Sequence, residues 1–158
     1  MQTVYIETTI PSYLGAHPSR QEPMATHQQR THEWWSQHRH RFLLYSSAFV
    51  RGEAAGGDPA AAQRRLAYLT PLPELDVPLE LDQLEADLIQ LFRLPPSAAT
   101  DASHLGMAML HQMDYLLTWN FRHLANATLQ KDLHEYCLYH NLHFPIVCTP
   151  ETLIQLQP

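Results

Sequence analysis

The sequence carries a single lysine, Lys131, among 158 residues. Contacts with phosphate would therefore fall mainly to arginines. Arg39, Arg41, Arg64, Arg65 and Arg122 are the candidates, and for any one of them a solvated surface position is the plainer reading. The formal net charge of −6 argues against binding nucleic acid by bulk electrostatics, because such domains are usually basic. It leaves a nuclease open: carboxylates that bind a metal add negative charge themselves, and the cation inverts the local field. Cysteine is equally scarce. Cys137 and Cys148 form neither a C-x-x-C motif nor a zinc-type spacing, and both read as buried, reduced thiols. Five glycines against twelve prolines imply defined loops rather than a flexible linker. No Gly-rich phosphate loop follows the first apolar run, where Thr8-Thr9-Ile10-Pro11 stands instead, so a small phosphorylated ligand is disfavoured. No apolar segment is long enough to span a bilayer, and no basic stretch precedes an apolar signal region. The expected location is cytoplasmic.

What the chain does contain is globular in character: 45% hydrophobic and 16% charged residues, at a length that suits one domain over residues 1–158. Val4 to Ile6 reads as a buried strand. Thr8 and Pro11 suggest a capped helix start, and Ser19 with Glu22 has capping-box spacing for a long helix ending near His40. Phe42 to Tyr45 is a second strand, followed by a helix capped by Ser46 or Ser47 and stopped at Gly56-Gly57. Asp58-Pro59 starts a helix running to about Leu69. Leu75 to Val77 is a short strand, and Leu81, Leu84, Leu88 and Leu91 mark an amphipathic helix over 80–93. Ser97 reads as the cap of an Ala-rich helix from Ala98 to about Gln112. Tyr115 to Leu117 is the fourth strand, Arg122 to Ala127 a short helix, Leu129 to His140 a longer one, and Pro145 to Cys148 a last strand before the Thr149-Pro150 turn. Strands alternating with helices imply an α/β fold with a mainly parallel central sheet flanked by helices.

Four polar residues follow or flank these apolar elements. Glu7 ends the first strand, Glu53 lies on the helix after the second, Asp101 sits in the first turn of the Ala-rich helix, and Asn120 follows the fourth strand. In open α/β sheets, ligands bind beyond the carboxyl ends of the strands, so the four can converge on one cleft. Each has a plainer reading: a strand-end acid, a helix-dipole acid, an exposed helix Glu, a turn Asn. The eleven histidines lack the i, i+4 pairs that place two imidazoles on one helix face, and most read as surface or capping residues. Trp34 and Trp35 read as core and interface residues.

The ordered set Glu7-Thr8-Thr9, Glu53, Asp101-Ala102 with His104 following, and Thr118-Trp119-Asn120 resembles the PIN-domain ribonucleases, the family that includes the VapC toxins. The resemblance runs nearly end to end. It implies a metal-dependent endoribonuclease in which Glu7, Glu53 and Asp101 hold Mg²⁺ or Mn²⁺ through oxygen ligands and Asn120 completes the site. It implies 5′-phosphate and 3′-hydroxyl products, an RNA substrate, a homodimer, and an antitoxin protein laid over the cleft. Thr8, Thr118, Asn126 and Arg122 would position substrate or water, with a helix C-cap as the other reading of Asn126. Two positions depart from the family pattern. Glu7 stands where Asp is usual, and the neutral Asn120 removes one negative charge. Weaker metal affinity is the expectation, and the alternative is a PIN-fold module that binds RNA or a protein without catalysis.

Overall fold

The protein is an α/β fold, described here from a computed structural model over residues 1–156. Five parallel strands form the sheet: β1 (Gln2–Ile6), β2 (Phe42–Ser47), β3 (Glu74–Leu75), β4 (Tyr115–Leu117) and β5 (Ile146–Cys148). Their spatial order is β3-β2-β1-β4-β5. The chain winds outward from β1 through β2 to β3, then returns to the other side of β1 for β4 and β5. The strand order therefore reverses between β1 and β4, where Val4, Tyr5 and Ile6 pair with Tyr115, Leu116 and Leu117. A crevice opens at the carboxyl ends of strands flanking such a switch. Val4 to Ile6, Leu116 and Leu117 are fully buried, as expected for strands covered by helices on both faces.

Among the described residues, eight α-helices flank the sheet. They are α1 (Thr9–Gly15), α2 (Met24–Glu33), α3 (Ala48–Ala54), α4 (Pro59–Leu69), α5 (Leu81–Phe92), α6 (Ala99–Leu110), α7 (Ala127–His140) and α8 (Pro150–Gln155). Ala102 to Met109 are all buried, so α6 is an interior helix with no solvent-exposed face over that stretch. It lies close against α5 at Gly106, where an added Cβ would meet Leu81 Cδ1 at 2.6 Å. One apolar cluster joins side chains from four of the strands to the helices, with Trp34, Ile10, Leu69, Leu88 and Leu133 fully buried in it. Cys137 and Cys148 are free thiols in this interior, pushed up by burial to pKa values of about 11 and about 12. No described helix is long and apolar enough to cross a membrane.

Several local expectations are corrected. The Ser19–Glu22 capping box does not form: Ser19 Oγ accepts from the Gln21 N–H, and α2 begins at Met24. That helix gives way to a π-helical turn (Trp34–His38) and a 3₁₀ turn (Arg39–Arg41), which seat Trp34 in the core. The third strand is Glu74–Leu75 rather than Leu75 to Val77. Ser97 caps nothing and lies within a 3₁₀ turn, Pro96–Ala98, ahead of α6. Residues 121–124 form a turn, not a helix. Asn126 caps the N-terminus of α7 rather than any C-terminus, its Oδ1 accepting from Thr128 N–H at 3.0 Å. Other caps form as read: Ser47 for α3, Asp58 for α4 and Thr149 for α8.

Candidate metal centre

The carboxyl ends of β1, β2 and β4 deliver the polar residues. Glu7 follows β1 directly, its N–H donating to Leu117 O at 3.1 Å across the switch point. It is only 3% exposed, and its Oε2 is saturated. That oxygen accepts from Thr9 N–H at 3.0 Å, Thr9 Oγ1 at 2.5 Å and Thr118 Oγ1 at 2.7 Å. Glu7 thereby does the work expected of Thr8: its carboxylate, not a threonine hydroxyl, receives the first free N–H of α1. Its Oε1 takes part in no hydrogen bond among the described residues.

Thr8 turns instead to the second acid. Its Oγ1 donates to Glu53 Oε1 at 2.6 Å. The same oxygen lies 2.5 Å from His104 Nε2. Burial alone would raise the Glu53 pKa, but the bonds from His104 and Thr8 and the nearby imidazole outweigh it and hold the carboxyl below its ordinary range. Asp101, on the first turn of α6, is shifted the other way. Burial first and the charge of Glu7 second push its pKa up, against smaller opposing contributions from His104, the Asn120 side chain and His123.

Asn120 is half-buried and fixed by its own turn. Its N–H donates to Thr118 Oγ1 at 2.9 Å, and its Oδ1 accepts from His123 N–H at 3.0 Å. Its side chain is near enough to Asp101 to favour the carboxylate there. One lone pair of the carbonyl oxygen that a cation would need is thus already used by the backbone. The neighbouring Trp119 anchors this loop: its N–H meets Thr9 Oγ1 at 2.9 Å, its Nε1–H meets Thr31 Oγ1 at 2.8 Å, and its ring stacks on His27 at 4.1 Å.

Of the expected residues, the fold brings Glu7 and Glu53 together, with Thr8 and Thr118 bonded to them and Asp101 coupled to Glu7 by charge. Asn126 turns its Oδ1 to the start of α7, where it accepts from the Thr128 and Leu129 N–H groups. Arg122 is exposed in the turn after Asn120. His104, which follows Asp101-Ala102 in the sequence pattern, is the residue to which sequence reasoning gives no role. It is fully buried, against the expectation of surface histidines. Its signal was present: it lies three residues after Asp101, on the same face of an otherwise apolar helix.

Glu7, Glu53 and His104 each offer one donor atom, and these atoms lie within 4.8 Å of one another. Atoms so spaced are close enough for one ion to draw them together. The donor chemistry fits a divalent cation. Among the described residues one oxygen each of Glu7 and Glu53 is unshared, and Asp101 carries a carboxyl whose charge the surroundings disfavour until a cation compensates it. Neither a family model nor a curated protein matches the chain.

Proposed function

We propose that the chain is a divalent-metal-dependent endoribonuclease of the PIN type, akin to the VapC-like toxins whose sequence pattern it resembles. One observation carries the reading: Glu7 and Glu53, from different elements, meet within 4.8 Å at the switch point of a parallel sheet, with Asp101 near enough to feel the charge of Glu7. Clustered carboxylates oppose one another and are costly to fold together unless a cation joins them.

In this reading Glu7, Glu53 and Asp101 hold Mg²⁺ or Mn²⁺. The bound ion supplies Lewis-acid stabilisation of the charge that builds on a phosphodiester during hydrolysis. The protein's part is positioning. Thr9 and Thr118 lock one oxygen of Glu7 and leave the other open. Thr8 fixes Glu53, and the Asn120 side chain favours the charged form of Asp101. Arg122, exposed beside Asn120, is suited to contact phosphate. An RNA substrate, a homodimer and a basic antitoxin segment over this acidic edge belong to the same proposal.

A second reading rests on Asn120. Its oxygen is committed to the His123 N–H, so the fourth position offers neither charge nor a free acceptor comparable to a carboxylate. That favours a PIN-fold module that binds RNA or a protein without cutting. The test compares wild type, Asp101→Asn and an EDTA control on a mixed structured RNA with Mg²⁺ or Mn²⁺. Metal-dependent cleavage lost in the variant supports the nuclease. Equal cleavage by the variant removes Asp101 from the site. No cleavage by folded, Mn²⁺-loaded wild type supports the module.

A further inference from the structure

Behind Glu53 runs a buried chain of hydrogen bonds that none of the proposed ligand roles requires. His104 Nε2 lies 2.5 Å from Glu53 Oε1, and His104 Nδ1 lies 2.9 Å from Tyr5 Oη. Tyr5 Oη lies 2.6 Å from Ser47 Oγ, and Ser47 Oγ lies 3.4 Å from Val50 N. Tyr5, Ser47 and His104 are all fully buried. Four elements contribute to it: β1, the end of β2, α3 and α6.

The donors and acceptors fix its direction. Val50 N–H can only donate, so Ser47 Oγ accepts there and turns its own hydrogen to Tyr5. Tyr5 Oη then accepts from Ser47 and donates to His104 Nδ1. With Nδ1 accepting, the imidazole hydrogen sits on Nε2 and points at Glu53. Every group has its partner in this order. Reversing it strands the Ser47 hydrogen and demands a second proton on the imidazole.

Glu53 needs such support. Its side chain is 40% exposed, on a helix of only seven residues. Free glutamate side chains have several rotamers, and holding one costs entropy. Thr8 and His104 both bind Oε1, leaving Oε2 unshared. Ligands to metals are commonly oriented by partners of this kind, fixed in turn by further hydrogen bonds.

We propose that His104, held in its Nε2–H tautomer by Tyr5 and Ser47, is a positioning residue that presents Glu53 to a divalent cation rather than a ligand itself. This rests on the metal-centre reading above. Its nitrogens are both occupied, and a hard cation prefers oxygen.

The experiment has two readouts on the full chain: ¹⁵N NMR of His104 in the metal-free protein, and Mn²⁺ titration of the same samples. The variants are Tyr5→Phe, His104→Gln and His104→Leu, with folding checked by circular dichroism. Wild type is expected to show an Nε2–H imidazole with a strongly hydrogen-bonded proton, and Tyr5→Phe to weaken that signature. Mn²⁺ affinity is expected to fall about 10-fold in Tyr5→Phe and up to about 100-fold in His104→Leu. His104→Gln should rescue part of it, since its amide can still donate to Glu53. An Nδ1–H imidazole overturns the proposal with no reference to metal. Unchanged Mn²⁺ affinity in folded His104→Leu overturns it too, and reduces the chain to a structural pair. The expected NMR signature together with no Mn²⁺ binding by wild type overturns the metal-centre reading, and with it the positioning role, while leaving the bonding order standing.

Discussion

Two threonine–carboxylate pairs sit at opposite ends of the same β1–β4 seam. At the amino end, Asp114 Oδ2 accepts from Thr3 N–H at 2.8 Å and Thr3 Oγ1 at 3.1 Å, while Asp114 N–H donates to Thr3 Oγ1 at 2.9 Å. At the carboxyl end, Glu7 Oε2 accepts from Thr9 and Thr118 in much the same manner. The bonding chemistry is alike and the company differs. Asp114 belongs to no metal-sized group of ligands among the described residues, whereas Glu7 has Glu53 and His104 within 4.8 Å and Asp101 beyond. A carboxylate bonded across a parallel seam is a staple. It becomes part of a site only where strand order opens a crevice and other elements bring further acids to it.

The largest expected effect breaks the comparison outright if it fails. Glu7→Gln should lower metal-dependent RNA cleavage at least about 100-fold, since disturbing even the partners behind a metal ligand costs 10- to 100-fold. Asp114→Ala should leave cleavage near wild type and cost stability instead. The Thr3 N–H loses its acceptor, a loss worth about 1–3 kcal/mol when the group is buried. Single-turnover cleavage and urea denaturation of both variants read the two effects. Cleavage abolished in folded Asp114→Ala would erase the distinction between staple and site.

The second effect is on pH dependence, and it divides the site internally. Asp101 holds its proton more tightly in the folded protein than its ordinary value of 3.8 implies. Its contribution to stability is complete below that value and is lost as pH rises through the folded pKa. Glu53 runs oppositely: its folded pKa lies below 4.5, so its contribution is present above that value and is lost as pH falls through the folded pKa. Half-exposed Glu53 should matter little in energy, because solvent screens such pairs. At pH 7 and without metal, Asp101→Asn is therefore expected to raise Tm by about 2–4 °C, the shift about 1 kcal/mol produces at this size. Mn²⁺ should raise the Tm of wild type and not that of the variant. A lower Tm for metal-free Asp101→Asn would mean that its carboxylate is a structural partner like Asp114.

How much of this was legible follows from what each element depends on. The strands were legible because β1 and β4 are buried on both faces, which leaves apolar runs bounded by polar residues. The acids were legible because a carboxylate directly after such a run is out of place. Errors arose where the deciding contact is distant. Thr8 read as a cap because caps are local, yet its hydroxyl meets Glu53, far along the chain. Ser97 failed as a cap because the chain enters α6 through a 3₁₀ turn. Asn126 was named as a cap at the wrong helix end, since a single Asn suits either until the following helix start is known. His104 was given no role because a lone histidine on an apolar helix says nothing until Tyr5 and Ser47 arrive from two strands.

The smallest expected effect sharpens the comparison at Asn120. An Asp there keeps an acceptor for His123 N–H, loses the side-chain amide that favours the Asp101 carboxylate, and adds a charge. Without metal, Asn120→Asp should push the Asp101 pKa further up and destabilise the fold slightly. With a cation present, the added charge should work the other way and tighten Mn²⁺ binding several-fold, roughly 1 kcal/mol for a pair of charges screened near a protein surface. The two signs belong together, because the repulsion that costs stability is what the cation relieves. Titration of Mn²⁺ into wild type and variant, with metal-free thermal melts of both, tests the pair of signs. A variant destabilised without metal yet no tighter for Mn²⁺ would show that position 120 faces Asp101 but not the cation, making Asn120 a turn-forming neighbour of the site rather than its fourth member.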